Sequence, residues 1–289
     1  MNWPIQQLRP KDFPTLLREI PDCPKALSFR GTMPPKDTLY LCVVGSRSCT
    51  QYGKRWAAKL IAGLANYPVA IVSGMALGID SEAHKAALDV GLPTVAVLPS
   101  GLDSDVIYPR MNRPLADEIL KRGGALLSEN PHDFVAMLHS FPQRNRISAG
   151  ISKATLIVEA GEKSGTLITA RLAMEYNREV LCIPHELGRE TGAGVNALIR
   201  EGATLVRSSE DILEALGLKA HERPTQGTLP TDLTIPESKI LTALAQTDAL
   251  VRDELLERAE ISAQDASIAL SSLLIRGLIL ERLGKIERA

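Results

Sequence analysis

The sequence predicts an α/β protein: an extended Rossmann-like, doubly wound domain with a mostly parallel sheet, followed by a small winged-helix domain. Two observations carry this reading. Seven apolar, strand-like runs alternate with helix-period segments over about 180 residues, and after Gly217 the texture changes to a polar stretch followed by three helix-like segments. A regular strand–helix–strand alternation requires right-handed crossovers, which make the strands parallel and cover the sheet on both faces.

Residues 1–38 contain seven prolines and at most one short helix, at 13–19, so they read as an arm lying on the domain. That is too little chain for a core of its own. The Rossmann-like domain spans 39–217. Its strands are expected at 39–44, 69–73, 94–98, 125–128, 154–158, 179–183 and 204–206, where short apolar runs suit strands buried on both faces. Helices are expected between them at 53–66, 81–90, 112–122, 166–177 and 209–216. Residues 218–234, broken by Pro224, Gly227 and Pro230, read as a linker.

The last segment, 235–289, has the helix–helix–helix–ribbon pattern of a winged helix, with its third helix at 263–276. Residues 237–289 carry seven basic against nine acidic side chains, a net charge of −2, and the third helix has no basic residue before Arg276. Gripping a duplex takes several basic contacts to phosphate. A protein contact or an accessory role is therefore favoured over DNA recognition for this module.

Bulk properties narrow the function. The 289 residues are 45% apolar and 23% charged, ordinary values for a folded soluble chain. A formal net charge of −1 excludes a globally basic nucleic-acid binder, so any anion must be held by a local cluster of positive charge. Cys23, Cys42, Cys49 and Cys182 show no Cys-x-x-Cys spacing, and two of them sit in strand-like runs. They read as thiols of a reducing compartment, not as a disulfide framework or zinc site. With no signal-peptide series and no apolar run near 18 residues, the expectation is a cytoplasmic protein without a membrane partner.

In a parallel sheet the ligand sits beyond the carboxyl ends of the strands, so the loops there carry the chemistry. The first strand is followed by Gly45-Ser46-Arg47, in which Arg47 stands where a dinucleotide fingerprint needs a glycine. NAD or FAD is thereby disfavoured, while exposed amides, a hydroxyl and a guanidinium still make a phosphate cradle. The second strand ends in Ser73-Gly74, and Asp80 is well placed to cap the helix that follows. Asp80 and His84 share a helix face, but no third ligand is evident, which favours structural hydrogen bonding over a metal site.

After the fifth strand, Ser164-Gly165-Thr166 opens a helix. The glycine spacing is wrong for a Walker loop and the Gly-Lys-Ser/Thr is missing, so ATP hydrolysis is not supported. The segment still offers amides and hydroxyls to an anion. Just before that strand, Phe141-Pro-Gln-Arg144-Asn145-Arg146 places two guanidinium forks beside the ligand edge, where they suit phosphate oxygens. The plainer alternative is a surface loop whose arginines pair with neighbouring carboxylates. No loop offers trustworthy catalytic machinery, and no cofactor or catalytic residue is expected.

Seven segments stand in register: Val44-Gly-Ser-Arg47, Ser73-Gly-Met-Ala-Leu-Gly-Ile-Asp-Ser-Glu-Ala-His84, Tyr108-Pro-Arg-Met-Asn112, Phe141-Pro-Gln-Arg-Asn-Arg146, Val158-Glu-Ala160, Ser164-Gly-Thr-Leu-Ile-Thr-Ala170 and Gly194-Val-Asn-Ala-Leu-Ile-Arg-Glu-Gly-Ala203. Together they resemble the bacterial DNA-processing protein A family, also called Smf. The resemblance implies a protein that is not an enzyme. It would bind single-stranded DNA without sequence preference, protect incoming strands in natural transformation, and load RecA recombinase where single-strand-binding protein also acts. Carried over by position, Arg47, Arg144 and Arg146 would meet phosphates, assisted by the amides of Gly45 and Ser46. The family's homodimer surface would map near Asn196, Ile199 and Leu205.

Two departures stand out. The chain has only a short arm where many members carry a helical domain, and Ile183-Pro-His-Glu186 replaces the usual Val-Pro-Gly. The competing reading is a nucleotide-binding or nucleotide-hydrolysing enzyme of the related Rossmann-like superfamily, whose Pro-Gly-Gly-x-Gly-Thr-x-x-Glu motif is not matched here.

Overall fold

The computed structural model describes residues 3–219, 233–245, 250–276, 278–282 and 284–288. The chain divides into two compact units, 1–220 and 221–289. Most of the linker expected over 218–234 lies outside the described residues.

In the first unit the elements run β1 (Gln6–Leu8), α1 (Thr15–Glu19), β2 (Leu27–Gly31), β3 (Leu39–Val44), α2 (Gln51–Ala62), β4 (Val69–Ser73), α3 (Ile79–Asp89), β5 (Thr94–Val97), α4 (Arg113–Lys121) and β6 (Ala125–Ser128). They continue with α5 (Ser140–Ile151), β7 (Ala154–Ile157), α6 (Thr166–Glu175), β8 (Glu179–Cys182), α7 (Ala193–Arg200), β9 (Thr204–Leu205) and α8 (Ser209–Ala215). All nine strands join one sheet in the order β1-β2-β6-β5-β4-β3-β7-β8-β9. From β6 to β9 every pairing is parallel, whereas β2 runs antiparallel to β6 and β1 antiparallel to β2. The strand order reverses between β3 and β7, and a doubly wound sheet opens its ligand crevice at such a point.

The central strands are buried on both faces because helices cover both. One core packs Cys42, Val72, Val95 and Leu127 against Phe13, Leu17 and Ile147. The other packs Leu41, Val43, Ile71 and Leu156 against Ile61, Ala83 and Leu213.

Two readings of the sequence need correction. The first 38 residues are not an arm laid on the domain: they add β1 and β2 to the sheet and send Leu17 and Leu27 fully into the core. Strands of three and five residues separated by prolines are too short to show a period. The Phe141–Arg146 segment, where no helix was expected, is the start of α5. Pro142 lies in its first turn, where the missing amide hydrogen has no helical partner to lose.

The second unit comprises α9 (Ile235–Ala245), β10 (Leu250–Val251), α10 (Arg252–Ala259), α11 (Ala263–Ile275), β11 (Ile279–Arg282) and β12 (Lys285–Arg288), with an antiparallel ribbon in the order β10-β12-β11. Its α9 starts two residues earlier than the sequence pattern indicated, through a reciprocal Thr-x-x-Glu cap. The Thr234 amide donates to Glu237 at 2.7 Å and the Glu237 amide donates back to Thr234 Oγ1 at 3.4 Å. The buried Glu237 also accepts from Ser272 of α11 at 2.6 Å, joining the two helices. Among the described residues, no helix is long and apolar enough to cross a membrane.

Candidate functional site

A cavity of about 510 Å³ opens at the β3/β7 reversal, beyond the carboxyl ends of the parallel strands. Four segments build it: the turn after β3, the loop after β4 with the start of α3, the helix α5, and the loop leading into α6 with that helix's first turn.

The turn after β3 is held from below. Thr50 caps α2 by accepting from the Gly53 amide at 3.2 Å. Glu159, fully buried just after β7, accepts from the Thr50 amide at 2.9 Å and from the Thr50 hydroxyl. A methyl at Gly53 would stand 2.5 Å from the Glu159 carboxyl carbon, so only glycine leaves that carboxylate room. With the ends of β3 and β7 tied together, Gly45, Ser46 and Arg47 line the cavity. The exposed Arg47 guanidinium lies 5.3 Å from the centre of the Phe141 ring.

The Ser73-Gly74 segment is held by buried polar groups. Met75 is fully buried in the left-handed region at φ 63°, a strained setting for a side chain this bulky. Asp80 accepts from the amides of Gly74 at 3.1 Å and Ala76 at 3.2 Å. Asn112, from the Tyr108–Asn112 motif, reaches the carbonyls of Met75 at 2.7 Å and Ala76 at 3.3 Å and Ser81 Oγ at 2.8 Å. Asp80 thus secures the loop before its helix; the expected helix cap is not made by its side chain, because Gly78 occupies that position. Burial pushes Asp80 above the ordinary carboxylate range, opposed first by Arg144 and then by the two amides.

The helical state of α5 decides the fate of its two arginines. Residues two apart on a helix point about 200° apart, so Arg144 and Arg146 cannot serve one groove. Arg144 faces the cavity but is only 8% exposed. It donates to the Val97 carbonyl at 2.7 Å and to Asn145 Oδ1 at 3.0 Å, and its guanidinium fills the space where Gly74 would carry a Cβ, 1.8 Å from Nη1. Its Nη2 makes no hydrogen bond among the described residues. Arg146 turns away, pairs with Glu129 and donates to the Asp22 carbonyl at 2.6 Å. It ties the N-terminal segment to α5, as the carboxylate-pairing alternative had it.

The remaining expected residues divide in the same way. Asn145, Ser164, Gly165 and Thr166 line the cavity with Gly74. Ser164 Oγ accepts from the Thr166 amide at 3.2 Å at the mouth of α6, whose N-terminal dipole end faces the space. Ser73 lies beneath the cavity, its hydroxyl donating to the Val43 carbonyl at 2.6 Å. His84 is a buried core group 2.7 Å from Thr94 Oγ1, and burial drops it to about 3, with Arg144 adding to the effect. Among the described residues, no group of three His, Cys, Asp or Glu could hold a metal ion.

Sequence reasoning missed Glu159, Asn112 and Phe141. Phe141 stands 5.6 Å from Tyr108 in an edge-on pair, and with Leu77 they wall a small apolar niche beside the cavity. Asn112 and Glu159 sat in motifs already singled out, but their targets lie more than 30 residues away in sequence.

Of the residues on the expected dimer surface, Leu205 is 40% exposed on the edge strand β9, and Ile199 packs partly against the core. Asn196 accepts from the His185 amide at 3.1 Å and donates to its carbonyl at 3.0 Å. The departing Ile183–Glu186 turn is pinned by this pair and by His185 Nε2, which donates to the Val158 carbonyl at 2.8 Å.

Protein Smf of Escherichia coli (strain K12) is 43% identical over 227 residues, covering 78% of this chain and 60% of that protein. DNA processing protein DprA of Streptococcus pneumoniae is 42% identical over 201 residues, covering 70% of each. This chain spans between about half and three fifths of the Smf proteins of E. coli and Synechocystis. Among solved structures, DNA processing protein A of S. pneumoniae matches with a TM-score of 0.68 at 39% identity over 74% of both chains. That of Helicobacter pylori, whose structure concerns a single-stranded DNA binding mode, matches with a TM-score of 0.67 at 32% identity, covering 74% of this chain and 96% of that one. The sequence model of the DNA recombination-mediator protein A family matches residues 5–217, the whole sheet unit that carries the cavity, and the chain belongs to that family.

Proposed function

We propose that the protein binds single-stranded DNA through its sugar–phosphate backbone, without sequence preference, and acts as a recombination mediator. The observation that carries this reading is the cavity at the strand-order reversal. It presents one exposed guanidinium, one buried and hydrogen-bonded guanidinium, small-residue amides and a helix N-terminus to the same space. Such donors recognise phosphate and carry no base code. The Tyr108–Phe141 pair beside them offers a face to an unstacked base, and every base has one. Membership of the family and the H. pylori relative's single-stranded DNA binding mode support the same ligand.

On this reading Arg47 makes the principal phosphate contact, and Arg144 both supports the cavity floor and adds a second. Protection of incoming strands, loading of RecA in the presence of single-strand-binding protein, a homodimer through α7 and β9, and no catalytic turnover complete the proposal. The test is direct. Fluorescence anisotropy should show a labelled oligothymidylate bound with an affinity that falls steeply with salt, by a log–log slope of about −0.7 per phosphate contact. Incubation with mononucleotides should yield no product. Salt-insensitive binding, or turnover of a mononucleotide, would contradict the reading.

A further inference from the structure

A second cavity, of about 320 Å³, lies where the N-terminal segment crosses the beginning of β3. Tyr40 is the second residue of β3 and Val44 its last, so about 13 Å of strand separates this cavity from the groove at the opposite sheet edge. Its walls bring together Lys11, Arg18 and Lys36, with Asp12 the one acid among them. Among the described residues neither lysine has an ion-pair partner, and the one side-chain hydrogen bond of the Arg18 guanidinium goes to the Thr15 hydroxyl, at 3.3 Å. Three cations facing one space against a single carboxylate repel one another, and an anion between them would relieve that repulsion.

The floor supplies an independent sign. Tyr40 is 7% exposed and lines the cavity, and its hydroxyl, which reaches the cavity and is not sealed in the core, makes no hydrogen bond among the described residues. Its phenol is a neutral donor at physiological pH, and burial, which pushes its ionisation up to about 12, keeps it so. Phe13, Met33 and Pro34 line the remaining wall with apolar surface. The segment that carries this wall is anchored, because Phe13 and Leu17 are buried in the core and Arg178 donates to the Leu16 carbonyl at 2.8 Å from the other side. The volume lies within the range of small-molecule pockets.

We propose that this cavity is a second, separate anion site, which takes a phosphate monoester with an apolar or aromatic body, of nucleoside-monophosphate size. Lys11, Arg18 and Lys36 would surround the phosphate, the Tyr40 hydroxyl would donate to it, and the body would lie on Phe13, Met33 and Pro34.

Calorimetric titration of the full chain tests this, with adenosine 5′-monophosphate, adenosine and inorganic phosphate as probes, each with and without saturating oligothymidylate. The expected result is one equivalent of the monophosphate per chain, bound equally in both conditions, with phosphate and adenosine at least about tenfold weaker. Lys36→Glu should weaken the monophosphate about tenfold or more, and Tyr40→Phe, which removes only the hydroxyl, about fivefold. Neither change should alter oligonucleotide affinity, and Arg47→Ala should leave the monophosphate unaffected. Absence of binding, equal affinity for inorganic phosphate, or a monophosphate displaced by the oligonucleotide and lost in Arg47→Ala would each overturn the proposal. If the monophosphate binds as described but the oligonucleotide does not, this site stands and the strand-binding reading fails.

Discussion

Arg144→Ala and Arg47→Ala remove the same side chain from the same cavity, yet the structure sets their consequences apart. Arg144 is buried and donates to Val97 and Asn145 at 2.7 and 3.0 Å. Hydrogen bonds from a charged donor are worth about 1.5–3 kcal/mol each. Removing the guanidinium also deprives the buried Asp80 of the positive charge that opposes its burial. The sum should approach the cost of breaking a buried charge pair, about 3–5 kcal/mol of folding stability. Arg47 is exposed and rests on Phe141, a contact worth about 0.5–1 kcal/mol, so its loss should barely move the unfolding curve. Both variants should bind oligothymidylate more weakly, and Arg47→Ala should flatten the salt dependence by about 0.7 in log–log slope, one phosphate contact. Urea unfolding followed by circular dichroism, with anisotropy titrations at several salt concentrations, measures both effects. If Arg144→Ala proves as stable as Arg47→Ala, the buried network under the cavity has been misread. An unchanged salt slope in Arg47→Ala would remove Arg47 from the phosphate path.

Further outcomes follow from the same geometry. The folded-state value of about 3 for His84 lies below its ordinary 6.5, so its contribution to stability is fully present above about pH 6.5 and is lost as pH falls towards 3. At pH 5 this amounts to about 2 kcal/mol, and urea midpoints should fall further between pH 7 and pH 5 in the parent than in His84→Gln. Asn112→Ala frees the left-handed Met75 turn and should cost about 1–3 kcal/mol while weakening oligonucleotide binding, although the residue lies under the cavity; unchanged affinity would separate the turn from the site. For the proposed dimer Leu205→Glu is a cleaner probe than Ile199→Glu, since Leu205 is exposed and Ile199 packs partly on the core; light scattering should report a folded monomer, and an intact dimer defeats the interface. A chain ending at residue 219 keeps the whole sheet and cavity and should retain most single-strand affinity; loss of binding on truncation would put the site in the wrong unit.

The seven parallel strands were legible in the apolar runs alone, because a run long enough to cross a sheet and bounded by turn residues has few other uses. Which loops meet was legible too, since parallel strands send all their carboxyl ends to one edge, and Gly45–Arg47 and Ser164–Thr166 do line one cavity there. Tertiary structure alone decided the rest. Whether Phe141–Arg146 is loop or helix turns on packing against β5 and the N-terminal segment, and that choice sends Arg144 into the cavity and Arg146 to Glu129 and Asp22. The membership of residues 1–38 in the sheet rests on β2 finding the free edge of β6, a pairing almost 100 residues distant that no local pattern announces. The supports of the site, Glu159 under Thr50 and Asn112 under Met75, are long-range for the same reason. A helical or strand period records which face of an element is buried, and it carries no information about which partner from elsewhere in the chain will bury it.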